Sequence, residues 1–242
     1  MLQSIKDLVE YGGLFTVTIR NWFKFFLNAM WIGGLITGVL GSIILWEKNF
    51  ASYYEAGQWG AVIAAFIVLV GFGLIISVIA QMGFFAYLTI HQMGVNIFKS
   101  LTLWNWVQLL IIALVIFDLI FFRFKPSEGT TSQIWLHIVA LVLLIGASVI
   151  VAIIKANKTK KQILISALFF MIAITTLEWV AALKVQSNDA DVWLLIVLVP
   201  LLAVNAYQLL ALPKYNAKSD EDRKKLEARR KARKEAAALK TK

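Results

Sequence analysis

Long runs without a charged residue constrain this chain more than any other feature of its sequence. One run lies between Lys24 and Glu47, and another continues from Glu55 to Lys99 without a Lys, Arg, Asp or Glu. A helix needs about 20 consecutive apolar residues to cross the hydrocarbon core of a bilayer, and these runs reach or exceed that length. Because the runs are continuous and do not alternate as barrel strands do, helices are the expected spanning elements.

Composition excludes an ordinary soluble protein. Hydrophobic residues make up 60% of the 242 residues, and the mean hydropathy is +0.76, whereas apolar residues account for about 45–50% of soluble domains. The absence of cysteine excludes disulfides, thiol catalysis and cysteine metal sites. No cleavable signal peptide is expected, because the first apolar run is too long for a signal core and lacks a small-residue cleavage pattern after it.

We therefore predict an all-α fold, a polytopic membrane bundle of about six transmembrane helices followed by a basic tail that is helical or disordered. The cytoplasmic N-terminal segment is expected at 1–24, the transmembrane domain at 25–212 and the basic cytoplasmic tail at 213–242. The expected spans are 25–46, 59–80, 101–122, 134–154, 163–183 and 192–212. Residues 81–98 are uncharged but more polar, and the sequence leaves open whether they extend the second helix or form an interfacial or re-entrant segment.

The distribution of Lys and Arg predicts the orientation of these spans. With the N-terminus inside and six crossings, 20 of the 24 Lys and Arg residues lie in cytoplasmic segments, and twelve of them follow Leu212. Cytoplasmic segments of membrane proteins carry an excess of Lys and Arg. We therefore expect a multi-pass protein of the cell membrane with both termini in the cytoplasm.

Three ionisable residues, Asp118, His137 and Glu178, lie inside predicted spans, each near the expected outer end. A charged side chain in a span costs about 3 kcal/mol or more, so it usually faces a partner or water. One interpretation is an outward-facing site for a proton, cation or small polar ligand, which would make the chain a small transporter or channel subunit. The favoured interpretation is structural ion pairs at the interface, Asp118 with Arg123 and Glu178 with Lys184.

The predicted inner half of the bundle has a second polar layer. Its members are Ser77, Gln81, His91, Gln92, Asn96, Asn105, Gln108, Asn205 and Gln208. Amide side chains often fix helix pairs in lipid by interhelical hydrogen bonds of about 0.6 kcal/mol. Structural hydrogen bonding is the favoured interpretation, and a cytoplasmic docking surface or cavity is the alternative.

The tail combines acidic and basic residues in an order that suits a helix. Ser219 and Asp222 have the spacing of a weak capping box, and acids precede bases as the helix dipole favours. The basic cluster consists of Arg229, Arg230, Lys231, Arg233 and Lys234. Such a cluster is able to contact anionic lipid, at about 1 kcal/mol per nearby base. No aromatic residue interleaves with the bases, so we do not expect nucleic acid as a partner. A solvated tail with transient lipid contact is the favoured interpretation.

The sequence carries no catalytic signature. It has no Walker-type loop, no G-x-S-x-G, no H-E-x-x-H and no soluble domain large enough for a kinase or cyclase. Two carboxylates and a histidine without characteristic spacing give little support for a metal site. We therefore expect a protein that is not an enzyme and that has no cofactor and no metal.

The stretch Ser77–Asn105, reading SVIAQMGFFAYLTIHQMGVNIFKSLTLWN, and its continuation to Phe124 are similar to a known family. Together with Ala206-Tyr207-Gln208-Leu209-Leu210, they resemble the KinB-signalling pathway activation proteins (KbaA) of spore-forming Bacillus relatives. The resemblance covers roughly residues 20–215 and excludes much of the basic tail. It implies an integral membrane activator of a sporulation sensor histidine kinase, without enzymatic activity and without catalytic residues.

On this basis the expected function is that of a membrane regulator whose helices contact a sensor kinase or another membrane protein. The polar and aromatic character of residues 81–91, at the expected cytoplasmic boundary, favours this segment for the contact. The expected contact residues are Gln81, Tyr87, His91, Asn105 and Gln108. Two alternatives stay open: a transporter or channel subunit that uses Asp118, His137 and Glu178, and a structural or assembly factor of the membrane.

Overall fold

The computed structural model describes residues 18–123, 131–183 and 190–240, and helices account for nearly all of them. In chain order the helices are α1 (Ile19–Ile44), α2 (Ala51–Glu55), α3 (Trp59–Phe98), α4 (Leu101–Asp118), α5 (Thr131–Lys158), α6 (Leu164–Phe169), α7 (Thr175–Leu183) and α8 (Ala190–Lys240). A π-helical turn, Phe170–Ile174, joins α6 to α7. The all-α prediction is confirmed.

Six helical segments of the described residues are long and apolar enough to cross a membrane. They are Ile19–Ile44, Trp59–Phe98, Leu101–Phe122, Ile134–Lys158, Lys161–Leu183 and Val192–Arg233. Each contains most of one of the six spans expected from the sequence. The prediction of about six spanning helices is therefore confirmed as well.

Helix α3 answers the question that the sequence left open for residues 81–98. It is one uninterrupted helix of 40 residues, which is about 60 Å long at 1.5 Å per residue. The hydrocarbon core of a bilayer is only about 30 Å thick. Residues 81–98 are thus a helix extension. The helix ends at Lys99, whose φ of 51° is left-handed, and Ser100 then caps α4 by accepting a hydrogen bond from the Leu103 backbone nitrogen.

Small residues let α1 and α3 approach closely. A Cβ added to Gly73 would lie 2.5 Å from the Gly33 carbonyl oxygen, and one added to Gly33 would overlap the Ser77 hydroxyl. Ser77 is fully buried, and its hydroxyl donates to the Gly73 carbonyl oxygen of its own helix at 2.9 Å. Close backbone contact between small residues is a common way to pack helices in lipid, where apolar burial supplies little driving force.

Residues 28–210 form one compact unit. Its largest fully buried side chains are Phe50, Ile76, Phe84, Leu119, Leu144, Phe170, Met171, Trp179, Ile196, Leu198 and Leu201. The span made by α6 and α7 is mostly buried, whereas α4 is mostly exposed. The Trp179 indole nitrogen donates to the Leu194 carbonyl oxygen at 3.0 Å. The α6–α7 span therefore lies inside this unit, and α4 lies at its periphery.

The second compact unit consists of residues 1–27 and 211–242. The start of α1 packs along the later part of α8 within this unit. The rings of Phe25 and Tyr215 meet edge to face, with centroids 5.2 Å apart. The Asn21 amide nitrogen donates to the Ser219 hydroxyl oxygen and to Asp222 Oδ2, each at 3.0 Å. These contacts attach the start of the tail to α1.

The expected capping box in the tail is wrong. Ser219 lies in the interior of α8, which runs without a break from Ala190 to Lys240. Its hydroxyl donates to the Tyr215 carbonyl oxygen at 2.7 Å, one turn earlier in the same helix, and the residue is fully buried. A side chain that bonds one turn back does not start a helix. The helix thus continues through residue 213, where the sequence analysis placed the start of the tail.

Pro213 lies inside α8 and leaves a carbonyl group without its usual partner. A proline has no N–H, so it cannot donate to the carbonyl oxygen four residues earlier, which here is that of Leu209. The Lys155 ammonium group of α5 donates to this Leu209 oxygen at 2.7 Å and is buried. The burial of a lysine is explained by this bond, because the lysine replaces the donor that the proline removes.

Candidate functional site

The hairpin between α3 and α4 is built around Trp104. Its indole nitrogen donates to His91 Nδ1 at 3.2 Å, and its ring stacks on Phe98 with centroids 5.7 Å apart. A Cβ on Gly94 would overlap the indole ring, so this position requires glycine. Trp104 is 5% exposed. The hairpin is thus a packed structure in which His91 accepts a hydrogen bond, which requires that Nδ1 carries no proton.

Two further residues of the expected contact set join α4 to α6. The Ser166 hydroxyl donates to Gln108 Oε1 at 2.9 Å, and the Asn105 amide nitrogen donates to the Gln162 carbonyl oxygen at 3.3 Å. Gln108 is fully buried, while Asn105 is partly exposed. Interhelical hydrogen bonds of amide side chains hold helices in register in lipid. The sequence indicated both amides but not their partners, which are Ser166 of α6 and Gln162 of the helical turn just before α6.

The remaining two expected contact residues, Gln81 and Tyr87, lie inside the bundle. Gln81 is 2% exposed and Tyr87 is 5% exposed. The Tyr87 ring lies 4.8 Å from that of Phe170, between centroids. Side chains in these positions support α3 from within. The large apolar side chains exposed on the same segment are Met82, Ile90, Met93 and Ile97, and the polar residues Thr89, Gln92 and Asn96 are exposed as well.

A second polar cluster lies where α3, α7 and α8 meet. Glu178 of α7 is 5% exposed, and its Oε2 accepts a hydrogen bond from the Asn205 amide nitrogen of α8 at 2.6 Å. The same nitrogen donates to the Thr175 hydroxyl oxygen at 2.8 Å. The sequence analysis placed Glu178 in an outer layer and Asn205 in an inner one, but the structure joins them. That division into two layers therefore does not hold for this pair.

Gly83 makes the position of the Glu178 carboxyl group possible. A Cβ on Gly83 would overlap Glu178 Oε1, so any side chain at this position of α3 would displace the carboxyl group. From the sequence, Gly83 was expected only as part of the contact segment 81–91, and Thr175 had no expected role. A glycine in the middle of an apolar helix indicates a close approach of some neighbour, but the sequence does not say which neighbour.

The other described ionisable residues expected in the outer layer are more exposed than Glu178. Asp118 is partly exposed at the end of α4, and His137 is partly exposed near the start of α5. Arg123 belongs to the turn Leu119–Arg123 after α4, but its side chain lies outside the described residues, as does Lys184. Among the described residues, no three His, Asp or Glu side chains lie close enough together to hold a metal ion.

The tail presents its basic cluster to the surroundings. Arg229, Arg230, Lys231 and Arg233 are exposed, and the side chain of Lys234 lies outside the described ones. Nearer the start of the tail, the Arg223 guanidinium group pairs with Asp220 Oδ1 at 2.7 Å. Exposed bases on all sides of a helix allow ionic contacts, and they do not form the apolar stripe that an inserted amphipathic helix needs.

Comparison with known proteins assigns the chain to a family. The family model described as "KinB-signalling pathway activation in sporulation" (KbaA) matches residues 33–215. This chain belongs to the KbaA family. A curated relative, the KinB-signaling pathway activation protein of Bacillus subtilis (strain 168), is 42% identical over 205 residues, which cover 82% of this chain and 98% of the relative. No solved structure gives a significant match.

The family match covers the hairpin and the Glu178 cluster but not the whole molecule. Gly83, His91, Trp104, Glu178 and Asn205 all fall within residues 33–215. The contacts of Asn21 with Ser219 and Asp222 and the whole basic cluster fall outside this range. The resemblance found in the sequence is thereby confirmed, and it extends over the region that contains both polar clusters.

Proposed function

We propose that this chain is a multi-pass regulator of the cell membrane, with both termini in the cytoplasm, that activates a sporulation sensor histidine kinase without being an enzyme. The observation that carries the proposal is the similarity to the Bacillus subtilis KinB-signaling pathway activation protein, almost all of which aligns with this chain. The six spanning helices and the concentration of Lys and Arg in the expected cytoplasmic segments agree with it.

The contact with the kinase is proposed to involve the later half of α3 and the hairpin that follows. Met82, Ile90, Met93 and Ile97 are all exposed and follow one another at intervals of three to eight residues along one helix. An exposed apolar helix face is suited to pack against a transmembrane helix of a partner. The expected contact residues then act from behind this face, because their hydrogen bonds and packing fix its shape. They are Gln81, Tyr87, His91, Asn105 and Gln108.

In this proposal the regulator works by a shift in population. It binds one conformation of the kinase more tightly than the other, and the difference in affinity sets how far the equilibrium moves. A rigid hairpin serves this purpose, because a surface that changed shape to fit both conformations would discriminate between them poorly. The hydrogen bond from Trp104 to His91 and the packing at Gly94 supply that rigidity.

Site-specific photocrosslinking in membranes tests this surface. A photoreactive amino acid replaces Met93, and the same replacement of Leu35, an exposed apolar residue of α1, serves as the control. We expect a covalent adduct with a sensor histidine kinase from Met93 and none from Leu35. Equal adducts from both positions, or none from any exposed position of α3, would remove the basis for this contact.

Complementation tests the function itself. The chain is produced in a Bacillus strain that lacks its own KinB-signaling pathway activation protein, and expression controlled by the sporulation phosphorelay is measured. We expect restored expression with the wild-type chain and a reduction when Trp104→Phe removes the hydrogen bond to His91 but keeps an aromatic ring. Absence of any response to the wild-type chain, despite its presence in the membrane, would overturn the proposed activity.

A further inference from the structure

Glu178 is a buried acid without a basic partner. Within the described residues, Glu178 is hydrogen-bonded to Asn205, and no Lys, Arg or His forms an ion pair with it. An isolated carboxylate in a medium of low dielectric constant is strongly disfavoured. Ionisable residues inside membrane spans are accordingly neutralised, paired or exposed to a water-filled cavity. Among the described residues, no basic side chain balances the charge of Glu178.

The cluster also has acceptor atoms left over. Two buried side-chain atoms of this cluster, Glu178 Oε1 and Asn205 Oδ1, have no hydrogen-bond partner among the described residues. The Asn205 nitrogen is already used by Glu178 Oε2 and the Thr175 hydroxyl oxygen. The two carbonyl-type oxygens accept but do not donate. Both therefore call for a positively charged or hydrogen-donating ligand.

The titratable groups on the elements around Glu178 are occupied elsewhere. On α3, Tyr87 packs on Phe170, and His91 accepts the bond from Trp104. On α8, Tyr207 has its own contacts, and the buried ammonium group of Lys155 on α5 binds the Leu209 carbonyl oxygen. No other residue of α7 is titratable. The missing charge thus has to come from outside the described side chains.

We propose that Glu178 and Asn205 form a binding site for a small monovalent cation, either a proton carried by Glu178 or a sodium ion shared by the two side chains. Both ligands offer the same chemistry, a positive charge directed at acceptor oxygens in a dry environment. Space is limited, because Oε1 lies against the backbone of Gly83. This restricts the site to the smallest cations and excludes organic ones.

The site gives the proposed regulator an input, and this part of the inference rests on the proposed function. Gly83 belongs to α3, the helix that also carries the exposed face Met82, Ile90, Met93 and Ile97. Loss of the cation leaves a charged carboxylate pressed against α3, and the cost of that state favours movement of the carboxyl group toward water. Occupancy of the site thereby biases the position of α3, where we place the kinase contact.

Infrared difference spectroscopy of the purified full chain in lipid nanodiscs tests the site without the kinase. One arm changes pH in the absence of sodium, and the other replaces N-methylglucamine by sodium at constant pH and ionic strength. We expect a carboxyl signal from the wild type that is lost in Glu178→Gln, which keeps the shape without the charge. Asp118→Asn, which removes a partly exposed acid at the end of α4, is the matched control and should keep the signal.

The outcomes separate the two ligands and the two proposals. A signal in the pH arm alone identifies a proton, and a signal in the sodium arm identifies sodium. If neither arm gives a signal, or if Glu178→Gln leaves it unchanged, the cation site is overturned. Gly83→Ala, which should displace the carboxyl group, is expected to shift the half-saturating concentration at least several-fold. A cation signal in a chain that fails to activate the kinase overturns the proposed function but not the site.

Discussion

Two polar networks tie α8 to other helices, and they differ in how completely their atoms are bonded. In the unit of residues 1–27 and 211–242, Asn21 donates to Ser219 and Asp222, and Ser219 donates onward to the Tyr215 carbonyl oxygen. In the unit of residues 28–210, Asn205 donates to Glu178 and Thr175, but one oxygen of Glu178 and one of Asn205 remain unbonded. Both networks use one amide to join an acid and a hydroxyl group.

This difference distinguishes a network that only links two helices from a network that is able to bind a ligand. A network whose donors and acceptors are all matched gains nothing from a further ligand, whereas one with unmatched buried acceptors is stabilised by anything that supplies a donor or a charge. The first network is also close to water, since Asp222 is partly exposed. The difference between them explains why only the Glu178 network is a candidate for sensing.

The largest expected effect comes from filling the space at Gly83. In Gly83→Leu the new side chain collides with the Glu178 carboxyl group, and overpacking of this kind costs about 3 kcal/mol or more of the free energy of unfolding. Thermal unfolding of the purified chain in detergent measures the effect. Gly146→Leu on α5 is the matched control, because no atom lies within 4 Å of a Cβ added there.

A second variant shows whether Glu178 is the cause. Glu178→Ala removes the side chain that collides, so the double variant with Gly83→Leu should recover most of the loss. If Gly83→Leu is no worse than Gly146→Leu, the close approach at Gly83 is refuted, and the restriction to small cations falls with it.

The next largest effect is expected from Asn205→Leu. It removes the donor to Glu178 Oε2 and leaves a buried acid with no hydrogen bond in the described structure. Loss of one hydrogen-bond partner of a buried polar group costs about 2 kcal/mol. Denaturation in mixed detergent measures this cost, and Glu178→Ala should reduce it, because no acid is then left without its partner. An equal cost in the presence and absence of Glu178→Ala would mean that Asn205 acts through packing alone.

The sequence was sufficient to predict the elements that depend on local pattern. Continuous apolar runs predicted six spanning helices, and the residues of the α3–α4 region predicted the family. The ends of the helices were harder to predict from the sequence. Helices α3 and α8 continue through polar residues whose local sequence is compatible with either a helix or the end of one. Ser219 illustrates this: its spacing to Asp222 fits a cap, and only the contact with Asn21, distant in sequence, reveals that it is buried.

The candidate site was only partly predictable for a related reason. The composition identified Glu178 and Asn205 as polar residues at membrane depth, but depth was counted along each helix separately. The Glu178 carboxyl group accepts a hydrogen bond from an amide that the count had assigned to another layer. The fit at Gly83 depends on which face of α3 turns toward α7, and a uniformly apolar helix does not show this in its sequence.

A smaller effect is expected from Lys155→Met, which removes the donor to the Leu209 carbonyl oxygen. The carbonyl group then has no partner. The expected net cost is about 1 kcal/mol, because the variant no longer buries an ammonium group and this gain offsets part of the lost hydrogen bond. Pro213→Ala restores an N–H four residues after Leu209, so Lys155→Met should cost almost nothing in that background. Thermal unfolding of the four proteins forms a double-mutant cycle, and additive costs would contradict the assignment of Lys155 as the replacement donor.

The smallest effect is expected from Asn21→Ala, which removes the donor of the network in the unit of residues 1–27 and 211–242. Asp222 is partly exposed, so water is able to replace the lost amide, and Ser219 keeps its bond to the Tyr215 carbonyl oxygen. We expect a loss of about 0.5–1 kcal/mol and no change in the response of the chain to pH or sodium. Infrared and unfolding measurements on the same sample test both parts. A cost equal to that of Asn205→Leu would erase the distinction between the two networks, because it would mean that solvent access at Asp222 gives no compensation. A changed cation response would carry the same implication for sensing, since it would show that the network outside residues 33–215 also takes part.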